Sequence, residues 1–109
     1  MSRHPTVQSV KNQIRAAVFD FDGVLTDDSV YITDSGSEFV KCSRRDGLAF
    51  DYLRTTGIRV VILSTERNVV VRMRAEKLKI EVIYGSSDKS KDLIDWVGSN
   101  NLSLENTIY

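Results

Sequence analysis

Three short, uninterrupted apolar runs punctuate this chain: AAVF at residues 16–19, VVIL within IRVVILST, and the VI of IEVIYG. Runs of this length without polar residues read as strands buried on both faces, the pattern of parallel sheets whose two sides are covered by helices. A half-exposed antiparallel sheet would alternate apolar and polar residues instead. Between and after these runs lie segments of helical spacing, and TIY at the end starts a fourth strand. The order is strand, hairpin, helix, strand, helix, strand, helix, strand, so the expected class is α/β with a parallel sheet flanked by helices.

The hairpin is read from SVYIT and EFVKCS, two β-prone runs joined by the turn-rich DSGS. The first helix, in RDGLAFDYLRTTG, carries Leu48, Tyr52 and Leu53 at helical spacing and ends at Gly57, a natural C-terminal stop. ERNVVVRMRAEKL puts Val70, Met73 and Leu78 on one face, and SKDLIDWVGSNN does the same with Leu93, Ile94 and Val97, Trp96 adding helix packing.

With 109 residues the chain has the size of one domain, expected as a flexible N-terminus at 1–13 followed by a core at 14–109. Fifteen basic and fifteen acidic residues cancel, so no global field draws it to nucleic acid or anionic lipid, and a specific small ligand is the expected partner. The single cysteine, Cys42, reads as a passive hairpin residue; without a disulfide partner it points to a reducing, cytoplasmic setting. His4 falls in the N-terminal tail and reads as inert. Neither a secretory leader nor a membrane span is expected, since no run approaches the roughly 18 apolar residues a span requires.

The first strand ends in DFDGVLTDD, where Asp20 and Asp22 flank a single residue. Residues two apart on a strand share a face, and two carboxylates in one small volume call for a cation; oxygen ligands suit Mg2+. Ser64 and Lys89 follow later strands, and open α/β sheets bind ligands at the carboxyl ends of their strands. Together they make a plausible phosphate site: one Asp to attack phosphorus, the other to move protons, a hydroxyl and an ammonium to hold phosphoryl oxygens. Each has a plainer reading. The DxD before Gly can be a polar turn, Ser64 and Thr65 can cap the next helix, and Lys89 can be solvated charge at a capped helix start.

DFDGVLTD resembles motif I of the haloacid dehalogenase phosphatase superfamily, VVILST its motif II, and GSSDKSKDL its motif III lysine. Over residues 14–109 the chain is similar to the small capless branch that dephosphorylates 2-keto-3-deoxy sugar acids. That branch includes 3-deoxy-manno-octulosonate 8-phosphate and sialic-acid-type 9-phosphate phosphatases, and related domains occur fused to acylneuraminate cytidylyltransferases. The resemblance implies a Rossmann-like core, a Mg2+ cofactor, Asp20 as nucleophile, Asp22 as general acid and base, and Ser64 and Lys89 as phosphate-binding groups. The metal would be held by Asp20 and by the backbone carbonyl of Asp22.

Where the octulosonate branch carries Gly-Arg after the serine, this chain has Thr65-Glu66, which favours a nine-carbon, sialic-type substrate. Glu66, Arg74 and Lys77 are the implied substrate residues. On one continuous helix Glu66 and Lys77 would stand about 16 Å apart, at a rise of 1.5 Å per residue, so Arg74 and Lys77 are expected to serve a neighbour's site in a homotetramer built on the hairpin at about 30–43. The family's fourth motif, an acidic pair beyond the strand begun by TIY, has no counterpart, so the C-terminal part of the fold is expected to be missing and Mg2+ binding to be weak. Two other readings stand beside the phosphatase: a noncatalytic oligomerisation module of the cytidylyltransferase-associated kind, and a phospho-receiver domain. The receiver requires an Asp at the tip of the third strand, which only Asp88 approaches.

Overall fold

The computed structural model of the protein describes residues 14–109, so the flexible tail expected at 1–13, with His4, lies outside the described residues. The elements are β1 (Ala16–Phe19), β2 (Thr26–Ile32), β3 (Glu38–Cys42), α1 (Arg45–Thr55), β4 (Arg59–Leu63), α2 (Val70–Leu78), β5 (Glu81–Ile83), α3 (Lys89–Ser99), a 3-10 turn (Leu104–Asn106) and β6 (Thr107–Ile108). Four strands form one parallel sheet in the order β5-β4-β1-β6, while β2 and β3 pair antiparallel as a separate hairpin. The α/β class and the element order read from the sequence are both present.

Side chains of a strand alternate between faces, and β4 uses both. Ile62 packs with Phe21, Leu25, Phe50, Val71, Ala75 and Leu78 on the side covered by α1 and α2. Val61 and Leu63 pack with Ala16, Val18, Trp96 and Val97 on the side covered by α3. From β1 the chain steps outward to β4 and β5, then crosses through α3 to lay β6 on the other flank of β1. This reversal beside β1 is a topological switch point, where open α/β sheets leave a crevice for ligands.

The helical faces differ in detail from the sequence expectation. In α1 it is Phe50 that is buried, its ring edge-on to Phe19 at 5.2 Å between centroids and 85° between planes, with Leu53 half-buried beside it. Leu48 and Tyr52 point outward, at 74% and 56% exposure. In α2 the buried residues are Val71, Ala75 and Leu78, and Met73 is exposed; in α3 Trp96 and Val97 are buried and Ile94 is exposed. Trp96 does pack as expected, its indole N–H donating to Glu81 Oε2 at 2.9 Å.

Phe21 anchors the segment that matters most for the site. It is 1% exposed, although it sits between two acidic residues outside any strand. Removing its ring leaves a cavity that the packed β1, β4, α1 and α2 surfaces cannot fill. Phe21→Ala is therefore expected to cost about 3–5 kcal/mol, measured as the shift in a chemical denaturation curve. A loss below about 1 kcal/mol would mean the anchor is dispensable.

Candidate active site

At the end of β1 the backbone coils tightly around Phe21. Its carbonyl accepts the amides of Leu25 at 2.8 Å and Thr26 at 3.2 Å. Gly23 takes a left-handed φ of +78°, which a side chain would strain, and its amide donates to the Thr26 hydroxyl at 3.2 Å. The amide of Asp28 donates to the same hydroxyl at 3.1 Å. Asp22 thus lies in a turn beyond the strand, and strand alternation is not what sets it near Asp20. The burial of Phe21 turns the chain so that the two flanking carboxyls stay outside the core. Thr26, 8% exposed, was not singled out from sequence, yet its hydroxyl closes this loop.

Asp20 is gripped from two other elements. Lys89, the first residue of α3, donates its ammonium to Asp20 Oδ1, and the Tyr109 hydroxyl, just past β6, donates to the same oxygen at 2.6 Å. Lys89 Nζ also reaches Tyr109 Oη at 3.1 Å. Burial pushes the Asp20 carboxyl up, but the hydrogen bonds from Lys89 and Tyr109, with the lysine's charge, outweigh it and hold the group below its ordinary value. Asp22 is moved the other way, first by partial desolvation and then by the negative charges of Glu66 and Asp28, against which Lys89 is only a partial offset. Asp20 therefore gives up its proton more readily than an ordinary aspartate, and Asp22 less readily.

The Asp20–Lys89 pair carries a pH signature. Because Asp20 sits below its ordinary 3.8, its stabilising contribution is present above that pH and lost as pH falls through the lower folded value. Burial lowers Lys89, but its bonds to Asp20 and Tyr109 raise it above its ordinary 10.5, so its contribution is complete below that pH and lost as pH rises through the higher folded value. Both side chains keep 34% of their surface, which caps the effect at about 1 kcal/mol. Lys89→Met should then destabilise by an amount that is flat around neutrality and shrinks toward both extremes, read from urea midpoints across pH.

Ser64, the residue just past β4, lies in the interior, 3% exposed, and its hydroxyl accepts the amide of Glu66 at 3.0 Å. It does not cap α2. That helix begins only at Val70, whose amide goes to Asn68 Oδ1 at 3.0 Å, while Glu66 Oε1 accepts the amide of Asn68 at 2.9 Å. Glu66 therefore stands in the loop before α2, and the 16 Å helical separation from Lys77 does not apply, since α2 has nine residues. The charge of Glu66 is felt at Asp22, so this residue joins the aspartate group. Arg74 and Lys77 do not; Arg74 donates to the Ser43 carbonyl at 2.8 Å, and both line a cavity of about 250 Å³ against Val40 and Cys42 of β3. Burial raises the Cys42 thiol, with Arg74 partly opposing it, in keeping with a passive residue. Asp88 caps α3, accepting the Lys91 amide at 3.1 Å.

Among the described residues no group of three or more His, Cys, Asp or Glu is arranged to hold a metal ion, and no helix is long and apolar enough to cross a membrane.

No protein-family model matches the chain. It is 30% identical over 106 residues to the 3-deoxy-D-manno-octulosonate 8-phosphate phosphatase KdsC of Salmonella typhimurium, a match covering 96% of this chain and 56% of that protein. Among solved structures, a protein assigned to the HAD family hydrolases from Streptomyces avermitilis is 44% identical with a TM-score of 0.87, covering 91% of this chain and 57% of that one. The fold is shared, at 24% identity and a TM-score of 0.81, by the 3-deoxy-D-manno-octulosonate 8-phosphate phosphatase of Moraxella catarrhalis, solved with magnesium, phosphate and KDO; there the match covers 94% of this chain and 61% of that one. The chain thus spans little more than half the length of the relatives it matches. Its homologues and structural neighbours include KdsC-type phosphatases and other hydrolases of the haloacid dehalogenase superfamily.

Proposed function

We propose that this chain carries the nucleophile-bearing half of a Mg2+-dependent phosphomonoesterase that acts on a phosphorylated 2-keto-3-deoxy sugar acid. The observation that carries the reading is the convergence on Asp20 of Lys89 and Tyr109, from two different elements, at the switch point of the sheet. The opposed behaviour of Asp20 and Asp22 supports it, because covalent phosphoryl transfer needs one carboxylate to attack and one carboxylic acid to donate.

The donor set fits Mg2+: Asp20 and Asp22 offer hard oxygens, and Asp22 faces negative charge from Glu66 and Asp28 that Lys89 only partly offsets. Asp20, with the main chain of Asp22, would hold the ion, which when bound offsets the charge of the phosphate. In the reaction Asp20 attacks phosphorus and forms an aspartyl-phosphate while the bond to the sugar oxygen breaks. Asp22 gives that oxygen its proton, then takes one from the water that attacks phosphorus, releasing phosphate and restoring Asp20. Ser64 and Lys89 hold the phosphoryl oxygens.

Thr65-Glu66 favours a nine-carbon, sialic-type acid, whereas the named relatives act on the eight-carbon acid. The deciding assay is phosphate release, with Mg2+ and in a version carrying the fourth motif, from both sugar acid phosphates and from 4-nitrophenyl phosphate; the half alone is expected to turn over little. Release from none of the three refutes the reading, and an intact oligomer without turnover would favour the noncatalytic module.

The same reading includes assembly. Val30, Tyr31, Ile32 and Phe39 of the hairpin are 52%, 57%, 68% and 55% exposed, an apolar surface suited to docking copies into a tetramer. Arg74 and Lys77, beside that hairpin, would then serve a neighbour's site. Light scattering is expected to give a multiple of the 12.3 kDa chain mass; a monomer at high concentration would exclude the tetramer.

A further inference from the structure

The loops after β4 and β5 are joined more closely than their strands require. The Ser64 amide donates to the Ile83 carbonyl at 2.9 Å, the Gly85 amide to the Glu66 carbonyl at 2.8 Å, and the Ser86 amide to the Ser64 carbonyl at 3.0 Å. Gly85 makes this path possible by taking a φ of +65°. Ser86 is 7% exposed, and its hydroxyl donates at 2.5 Å to Oδ2 of Asp92, in the first turn of α3. A buried hydroxyl on a carboxylate is a strong, directional bond. The helix it is tied to is the one that delivers Lys89 to Asp20.

We propose that Ser86 and Asp92 are a positioning pair that locks the loop bearing Ser64 and Glu66 to the helix bearing Lys89. The inference rests on the phosphatase reading for its kinetic consequence, and on geometry alone for the lock. Neither residue touches the reacting atoms; Ser86 acts through the main chain of Ser64, and its neighbour Gly85 through that of Glu66. Loosening the pair would let the Glu66 loop drift relative to the aspartates, while the Ser64 amide stays on the Ile83 carbonyl and the Lys89 ammonium stays on Asp20. The kinetic mark of such a defect is selective. Recognition of the sugar acid should suffer, and chemistry on a small aryl phosphate should not.

The test compares Ser86→Ala and Asp92→Ala, which remove the bond, with Ser86→Thr and Asp92→Asn, which keep a donor and an acceptor. Removal is expected to raise KM for the sugar acid phosphate about ten-fold, since small misplacements are costly in oriented sites, with kcat on 4-nitrophenyl phosphate changed less than about two-fold. The conservative variants should stay near wild type. Combined with Glu66→Gln, Ser86→Ala should add little to the loss that Glu66→Gln causes alone, because residues acting as a unit are not additive. Equal damage to both substrates, or full additivity, overturns the proposal. Amide hydrogen exchange separates it from the phosphatase reading. In Ser86→Ala and Asp92→Ala the Gly85 amide, and in Asp92→Ala the Ser86 amide too, should exchange at least about ten-fold faster while amides of β4 keep their protection. Unchanged exchange refutes the lock even in an active protein, and absent turnover with accelerated exchange refutes only the phosphatase.

Discussion

In a version carrying the fourth motif, Asp20→Asn is expected to yield a folded protein that releases no measurable phosphate from a sugar acid phosphate or from 4-nitrophenyl phosphate. Asparagine keeps the shape of the side chain and an oxygen to accept from Lys89 and Tyr109, but its amide cannot attack phosphorus. Loss of a nucleophile from a covalent mechanism typically costs on the order of 10⁴-fold or more. Stability should change little. The ion pair with Lys89 leaves 34% of each side chain in solvent, and pairs so placed contribute about 1 kcal/mol at most. Parallel circular dichroism and phosphate assays check both halves of the statement. Wild-type rates on either ester would remove Asp20 from the role of nucleophile.

Asp22→Asn has a different signature. An amide cannot donate the proton the leaving oxygen needs, and general acid catalysis is worth about 10²- to 10⁴-fold. That loss should appear in full with a sugar phosphate, whose alkoxide is a poor leaving group. It should be much smaller with 4-nitrophenyl phosphate, whose phenolate leaves without help. Folding stability is expected to move the other way. Asp22 is raised above its ordinary 3.8 by desolvation and by Glu66 and Asp28, so its charged form costs stability at neutral pH, and Asn removes that cost. Equal slowing of both substrates would exclude the acid role.

The architecture was legible because the apolar runs are short, continuous and flanked by helical patterns, a combination that only a sheet covered on both faces satisfies. The buried helix faces were less so. α1 holds apolar side chains in several directions, Leu48, Phe50, Tyr52 and Leu53 among them, and spacing cannot rank them; contact between Phe50 and Phe19 decides. The start of α2 was misread for a local reason. Glu66 and Asn68 spend their side-chain oxygens on nearby backbone amides, and such bonds compete with helix formation, so the helix waits until Val70.

At the site, Asp20 and Lys89 were readable from position at strand ends, and the structure brings them together. Tyr109 was not, since a tyrosine in a β-prone run looks like any other strand residue until the register of β6 on β1 sets its hydroxyl on Asp20. Thr26 escaped for a similar reason. A lone threonine at the start of a strand carries no mark of the two amides its hydroxyl accepts.

Thr26 is also the first residue of β2, so the hairpin is not an appendage hung from a rigid core. It is a lever whose pivot is the hydroxyl that holds Gly23, one residue from Asp22. A force applied to the exposed strands, by any body that grips Tyr31 or Phe39, would reach that pivot along β2. In mechanical terms, clamping the hairpin would stiffen the loop that carries Asp22, and freeing it would soften that loop.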